Sequence, residues 1–372
     1  MSAFLLSCLL AFLTIWLLGM AYTAWRFATG RGTEPAAPVP SPLPRVSVLV
    51  AARDEAAALP RCLASLRALH YPPEQLEILV GDDSSTDGTA AVAVRAMQGF
   101  GGQFRVIPIS GNMGAARGKA NVLAHLARHT TTDYFFITDA DISVPPTWIA
   151  ALLARAVPGV GTVTGITAVR GPRLFHRLQG IDWLLSLSMV QVVSDMGRPV
   201  TAMGNNMLVT RAAYEATGGY EALPFSVTED FALFKAVLAR GFGFRQVFQP
   251  EVRADSLPTP TWPSLLKQRH RWLRGVQALP LRLRLELLFF SSFWPALAAV
   301  AALGWPGVAL GGWGAKLLVQ GTLAHFAHRR AGMRLGWHLL PLFELYTLAL
   351  TASLIAFRVV GGAVVWKGRR YE

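Results

Sequence analysis

The sequence predicts an α/β protein, a doubly wound and mostly parallel sheet flanked by transmembrane helices. Three observations carry this. Short apolar runs alternate with amphipathic stretches between residues 46 and 139, the pattern of successive βαβ units. Acidic residues recur where the apolar runs end, which in such sheets is the edge that binds ligands. Uncharged apolar segments long enough to cross a bilayer lie on both sides of this region.

Phe4 to Trp25 is an uncharged apolar run, with Arg26 and Arg31 after it and Trp16, Tyr22 and Trp25 available to sit near its ends. No charged stretch precedes it and no small-residue cleavage site follows. It therefore reads as a retained anchor over 1–26 rather than a removed signal peptide. The positive residues after the span place the next domain in the cytoplasm. Residues 27–44 contain EPAAPVPSPLP, a Pro-rich linker that would act as a semi-rigid spacer.

The main domain is expected over 45–260. Val46 to Ala51 is a strand and Glu55 to Ala68 its following helix. Leu76 to Val80 is the second strand, running into Gly81-Asp82-Asp83-Ser84-Ser85-Thr86-Asp87-Gly88. Ala90 to Met97 reads as a helix and Phe104 to Pro108 as a third strand. Asn112 to Arg128 opens with the loop Gly114-Ala115-Ala116-Arg117-Gly118-Lys119 and continues as a helix. The fourth strand, Tyr134 to Ile137, is a buried-strand type of run that ends in Asp139-Ala140-Asp141.

Composition narrows the function classes. Of 372 residues 52% are hydrophobic and only 15% charged, with a mean hydropathy of +0.38, too apolar for an ordinary soluble enzyme. The net charge of +13 comes from 35 Lys and Arg against 22 Asp and Glu. In a chain this apolar, that excess points to an anionic membrane surface or a phosphorylated substrate before nucleic acid, and no nucleic-acid motif is present. Cys8 and Cys62 match no zinc or disulfide spacing, as expected of a reducing compartment.

Acids follow three strands: Asp54 and Glu55 after the first, Asp82 and Asp83 after the second, Asp139 and Asp141 after the fourth. A right-handed βαβ wind brings these ends to one edge of the sheet. Each acid alone could be a helix cap or a turn former. Together, with Arg53 and Lys119 nearby, they suggest a site for a nucleotide phosphate and a hard divalent cation, Mg²⁺ or Mn²⁺.

The ordered set VSVLVAARDE, VGDDSSTDGT, TDAD, Thr228-Glu229-Asp230 and Gln268-Arg269-His270-Arg271-Trp272 resembles the family-2 inverting glycosyltransferases of the GT-A fold. Within them it is most similar to membrane-bound ceramide glucosyltransferases and to polysaccharide synthases with a Q-x-x-R-W motif. The resemblance covers about residues 45–280. It implies a nucleotide-diphosphate sugar as donor, a UDP-sugar being the expected one, a divalent metal, and inversion at the anomeric centre. It also implies that the Ala51–Arg53 backbone and Glu55 line the nucleotide pocket, that Asp83 binds the base and that Lys119 lies close to the nucleotide. Asp139 would bind nucleotide or sugar and serve the metal with Asp141. Asp230 matches the catalytic base that deprotonates the acceptor hydroxyl, although its place before Phe231 to Arg240 also suits a helix cap.

Helical spacing puts Gln268, Arg271 and Trp272 on one face of a segment spanning 261–285. Arg271 could stabilise the departing diphosphate, and Gln268 and Trp272 the substrate side. The surrounding Lys267, Arg269, Arg274, Arg282 and Arg284 also describe a basic amphipathic helix on a membrane surface. Gly204-Asn205-Asn206-Met207 could face the acceptor or close a turn. In 286–372, Leu287 to Leu303 and Leu339 to Val360 read as spans, whereas Trp305 to Ala324 is Gly-rich and carries Lys316. The basic clusters at 328–330 and 367–370 both ask for the cytoplasmic side.

A span on each side of the catalytic domain suits an acceptor presented at the bilayer. The expectation is therefore a multi-pass enzyme of the cell membrane that moves one sugar to a lipid at the cytoplasmic face. A processive polysaccharide synthase is the alternative, and a non-catalytic nucleotide-sugar-binding subunit a lower-ranked one.

Overall fold

The computed structural model describes residues 2–30, 37–277, 279–360, 364–366 and 369–371. Arg31, the start of the Pro-rich linker, and Lys367 and Gly368 of the basic tail lie outside the described residues. The chain divides into a sheet unit (34–177, 201–271 and 361–372) and a helical unit (1–33, 178–200 and 272–360).

In the sheet unit the strands are β1 Val46–Ala52, β2 Leu76–Asp82, β3 Gln103–Pro108, β4 Tyr134–Asp139, β5 Ile142–Ser143, β6 Val160–Thr164, β7 Thr167–Val169, β8 Asn206–Thr210, β9 Gly243–Gln246 and β10 Ala254–Ser256, with Val364–Trp366 and Arg369–Tyr371 pairing separately as an antiparallel two-stranded sheet. Seven of them form one sheet in the order β3-β2-β1-β4-β8-β6-β9. β3, β2, β1 and β4 run parallel, β8 runs antiparallel to β4 and β6, and β6 and β9 are parallel. β1 and β2 are buried along nearly their whole length, as Val/Ile/Leu runs covered on both faces require. Gly81 in β2 permits one of these coverings, because a Cβ there would lie 2.3 Å from Val122 Cγ1 of the helix Gly118–Arg128.

Register sets the working edge. Ala52 pairs with Asp82 and Ala51 with Asp139, so β1, β2 and β4 end level with one another. The helix after β1 covers Leu59–Arg67, shorter than its periodicity suggests. Residues 55–58 turn instead, and Pro60 stands in the first helical turn, where its missing N–H costs nothing. A three-stranded sheet, β5-β10-β7, follows β4 at once. Arg61 binds across its start, donating to the carbonyls of Asp141 at 3.0 Å and Asp255 at 2.8 Å.

In the helical unit, Ser2–Thr29 packs against Phe293–Ala302 and Pro306–Arg330. Among the described residues, three helical stretches are long and apolar enough to cross a membrane: Ala3–Thr29, Leu281–Ala302 and Trp337–Phe357. The second breaks at Ser292, where Pro295 can start a helix but cannot continue one. Pro306–Arg330 is a 25-residue helix that buries Lys316. Lys316 Nζ donates to Glu344 Oε2 at 2.5 Å and to Gln320 Oε1 at 2.9 Å, and Gln320 Nε2 donates to Glu344 Oε1 at 2.7 Å. Trp294, Phe293 and Trp16 surround the ammonium with ring centroids 5.5–6.0 Å away.

Candidate active site

The candidate site lies in the sheet unit, at the level ends of β1, β2 and β4. The loops after β1 and β2 are laced together. Thr86 N donates to Asp54 Oδ1 at 2.8 Å, Asp54 N to Ser85 Oγ at 3.0 Å, Glu55 N to Thr89 Oγ1 at 2.9 Å and Ala56 N to Asp87 Oδ2 at 2.9 Å. Asp54 and Ser84 take left-handed backbone angles, φ 50° and 56°, a conformation uncommon outside glycine and favoured at functional turns. Asp54 and Asp87 thus shape the loops. Asp83 is buried, its amide donating to Ala52 O at 2.9 Å, while Arg53 Nη1 donates to Asp83 O at 3.0 Å and approaches Oδ2 at 3.4 Å. Ala51, Arg53, Glu55 and Asp83 therefore belong to one pair of stitched loops.

Lys119 enters from the first turn of Gly118–Arg128. Its Nζ pairs with Asp139 Oδ1 at 2.5 Å and with Glu229 Oε1 at 3.1 Å. Burial opposes a charge on this lysine, but Asp139, Glu229 and Asp230 outweigh it and hold its pKa well above the ordinary range. Asp141, two residues past the end of the β4 pairing, has its carboxyl pushed up to about 6, first by burial and then by the like charges of Asp139 and Glu55. Asp139, Asp141 and Glu55 therefore act electrostatically on one another.

Asp230 stands in the first turn of the helix Glu229–Ala239. Its Oδ2 accepts the Gly204 amide at 2.9 Å and its Oδ1 the Phe231 amide at 2.8 Å. Thr228 occupies the cap position without a side-chain cap bond. Burial, then the neighbouring Glu229 charge, raises the Asp230 pKa to about 6, with Lys119 and the two amides opposing. Glu229 behaves in the opposite sense: burial disfavours its charge, but Lys119 and then Arg271 pull its pKa below the ordinary value. Two adjacent carboxyls are thereby driven apart, the arrangement that leaves one of them able to exchange a proton near neutral pH.

Arg271 lies in the helix Trp262–Gln277, and its Nη1 approaches Val227 O at 3.4 Å. Gln268 is half-buried three residues earlier on that helix. Trp272 belongs to the helical unit, where its ring packs on Trp183 with centroids 4.7 Å apart. Asn205 and Asn206 are held by the fold. Asn205 Oδ1 accepts from Thr167 Oγ1 at 3.0 Å, and the buried Asn206 bonds Ile166 O, Val252 O and Trp148 Nε1.

Two participants carry little sequence signal. Glu229 reads as an ordinary acid in a first helical turn, and the contact of Gly204 with Asp230 joins residues 26 positions apart.

The family model described as Glycosyl transferase family 21 matches residues 11–372. A beta-monoglucosyldiacylglycerol synthase of Synechocystis sp. is 29% identical over 241 residues, 63% of this chain and 48% of that protein. A poly-beta-1,6-N-acetyl-D-glucosamine synthase of Staphylococcus epidermidis is 24% identical over 257 residues, 68% of this chain and 57% of that one. The chain thus spans about half the length of the curated relatives it matches. A mannosyltransferase from Pyrobaculum calidifontis, solved in complex with GDP-Man and Mn²⁺, superposes with a TM-score of 0.61 at 21% identity, covering 88% of this chain and 98% of that one. It shares the glycosyltransferase fold. The motifs at the level strand ends and the match along nearly the whole sequence lead to one conclusion: the chain belongs to glycosyl transferase family 21.

Proposed function

We propose that the protein transfers a single sugar from a nucleotide-diphosphate sugar, a UDP-sugar first among candidates, to a lipid acceptor at the cytoplasmic face of the cell membrane, inverting the anomeric centre. The observation that carries this is the Asp139–Lys119–Glu229 chain of contacts, which links the strand-end carboxylates to the turn that bears Asp230.

The division of labour follows from charge. Ala51, Arg53, Glu55 and Asp83, on the stitched loops, receive the nucleoside, and Lys119 neutralises phosphate charge nearby. Asp230 accepts the proton of the acceptor hydroxyl as its oxygen attacks the anomeric carbon. Its two backbone hydrogen bonds fix the carboxylate, and its raised pKa gives it affinity for that proton. Arg271 balances charge on the leaving diphosphate, and Gln268 and Trp272 contribute to the substrate side.

A divalent cation, Mg²⁺ or Mn²⁺, fits Asp141 and Asp139. Both offer hard carboxylate oxygens, and the Asp141 pKa is raised first by burial and then by repulsion from Asp139, the latter being the kind a cation relieves. Among the described residues no group of three or more His, Cys, Asp or Glu could hold a metal by itself. When bound, the cation would stabilise negative charge on the leaving group.

The lipid acceptor is supported by the candidate membrane helices and by the 29% identity to a beta-monoglucosyldiacylglycerol synthase. The basic segment 261–285 would then lie along the bilayer surface. The test is incubation of the purified protein in vesicles containing diacylglycerol or ceramide with radiolabelled nucleotide sugars, followed by mass spectrometry of the lipids. One added hexose of inverted configuration supports the reading. A ladder of long products points instead to processive synthesis, and donor binding without turnover to a non-catalytic subunit.

A further inference from the structure

We propose that Glu229 is a positioning residue whose carboxylate tethers the cations Lys119 and Arg271 beside Asp230, coupling the strand-end carboxylates to the acceptor base. The geometry is direct at one end. Glu229 Oε1 lies 3.1 Å from Lys119 Nζ, which also holds Asp139 Oδ1 at 2.5 Å. At the other end Arg271 acts electrostatically on Glu229 and reaches the carbonyl of Val227, two residues before it, at 3.4 Å. The side chains of Lys119 and Glu229 are only 14% and 11% exposed, so solvent does little to screen their contact.

A first-turn acid needs no such partners to serve a helix dipole. Glu229 is instead paired with Lys119 of Gly118–Arg128, and the charge of Arg271, from the separate helix Trp262–Gln277, also favours its ionised form. Its charge also faces Asp230. The groups acting on Asp230 are Glu229 from the same helix, Lys119 from Gly118–Arg128 and the amides of Gly204 and Phe231, while Asp230 in turn acts on the Tyr220 phenol of Gly219–Ala222. Neutralising Glu229 therefore has two effects. It releases Lys119 and Arg271, and it removes a negative neighbour that holds the proton on Asp230.

The inference rests on Asp230 being the base, and its test separates the two. Glu229→Gln, Lys119→Met and the double variant are compared with wild type and with Asp230→Asn in the vesicle assay across pH. Glu229→Gln should fold normally, lose about tenfold in kcat/KM, in keeping with coupled neighbours, and move the acidic limb of the profile to lower pH. Adding it to Lys119→Met should cost little more than Lys119→Met alone. Should Glu229→Gln not fold, Glu229→Asp keeps the charge and shortens the tether. It should lower kcat while leaving the acidic limb in place, and a wild-type kcat there overturns the proposal. A limb that stays put in Glu229→Gln, or losses that multiply in the double variant, overturns the role of Glu229 alone. Full activity of Asp230→Asn instead removes the base assignment and this inference with it.

Discussion

The amide of Gly204 donates to Asp230 Oδ2 at 2.9 Å, and a Cβ built on Gly204 would lie 2.6 Å from Cβ of Asp230. The absent side chain is thus a condition for the carboxylate to reach its place. Gly204→Ala should lower kcat by about two orders of magnitude, as expected when a reacting group is displaced by about 1 Å. Donor affinity, read by titration with the nucleoside diphosphate, should be nearly unchanged. A wild-type rate in that variant would mean that Asp230 is free to move or is not the base.

Asp230→Asn preserves shape and capping ability but removes the proton acceptor. Transfer should fall by about two to four orders of magnitude, whereas a mere cap would cost at most about 1 kcal/mol of stability. The pH dependence has a definite sign. Because the Asp230 pKa is raised to about 6, the base is ionised above that value and protonated below it. In wild type, kcat/KM should fall about tenfold per unit as pH drops below about 6.

Asp141→Ala should abolish transfer while leaving the protein folded and in the membrane fraction. Excess chelator should do the same to wild type, with recovery on adding Mg²⁺ or Mn²⁺. Transfer that survives both treatments would remove the metal assignment.

The orientation can be read from a single thiol. Gly101 is exposed in the loop before β3 and is a suitable position for a cysteine. In a Cys8→Ser background, since Cys8 is exposed and Cys62 buried, Gly101→Cys should resist impermeant thiol reagents in intact cells and react after lysis. Labelling in intact cells would invert the topology.

The Lys316–Glu344 pair allows a double-mutant cycle. Lys316→Met or Glu344→Leu alone should destabilise the helical unit by about 3–5 kcal/mol, since each leaves a buried charge without its partner. The double variant should recover most of that loss, as thermal unfolding in detergent would report.

The sheet and its acidic edge are legible in the sequence because both are local. Apolar runs such as Val46 to Ala51 and Tyr134 to Ile137 dictate buried strands, and chain polarity alone brings Asp83 and Asp139 to one end. The turn at 55–58 was hidden because its residues continue a helical pattern, and only the lacing to Ser85, Asp87 and Thr89 of the next loop holds it open. Glu229 and Gly204 lie in stretches the sequence singles out, but their contacts are silent for a related reason: their partners are Lys119 and Asp230, 110 and 26 positions away. The helix Pro306–Arg330 presents the same difficulty in reverse. Lys316 argues against an apolar environment until Glu344, a helix further on, is seen to accept its charge.

That pairing also bears on how the polypeptide is made. Lys316 leaves the ribosome 28 residues before Glu344. A lone ammonium in hydrocarbon is costly, and so is a lone carboxylate. Pro306–Arg330 is not one of the candidate spans, and on the proposed membrane placement it would have no stable resting place in lipid until Leu340–Val360 had followed it. On that placement the smallest piece able to leave the insertion machinery cheaply would be the pair of helices together, neutralised in advance. Truncation between them should leave nascent chains that are retained or degraded rather than released into the bilayer.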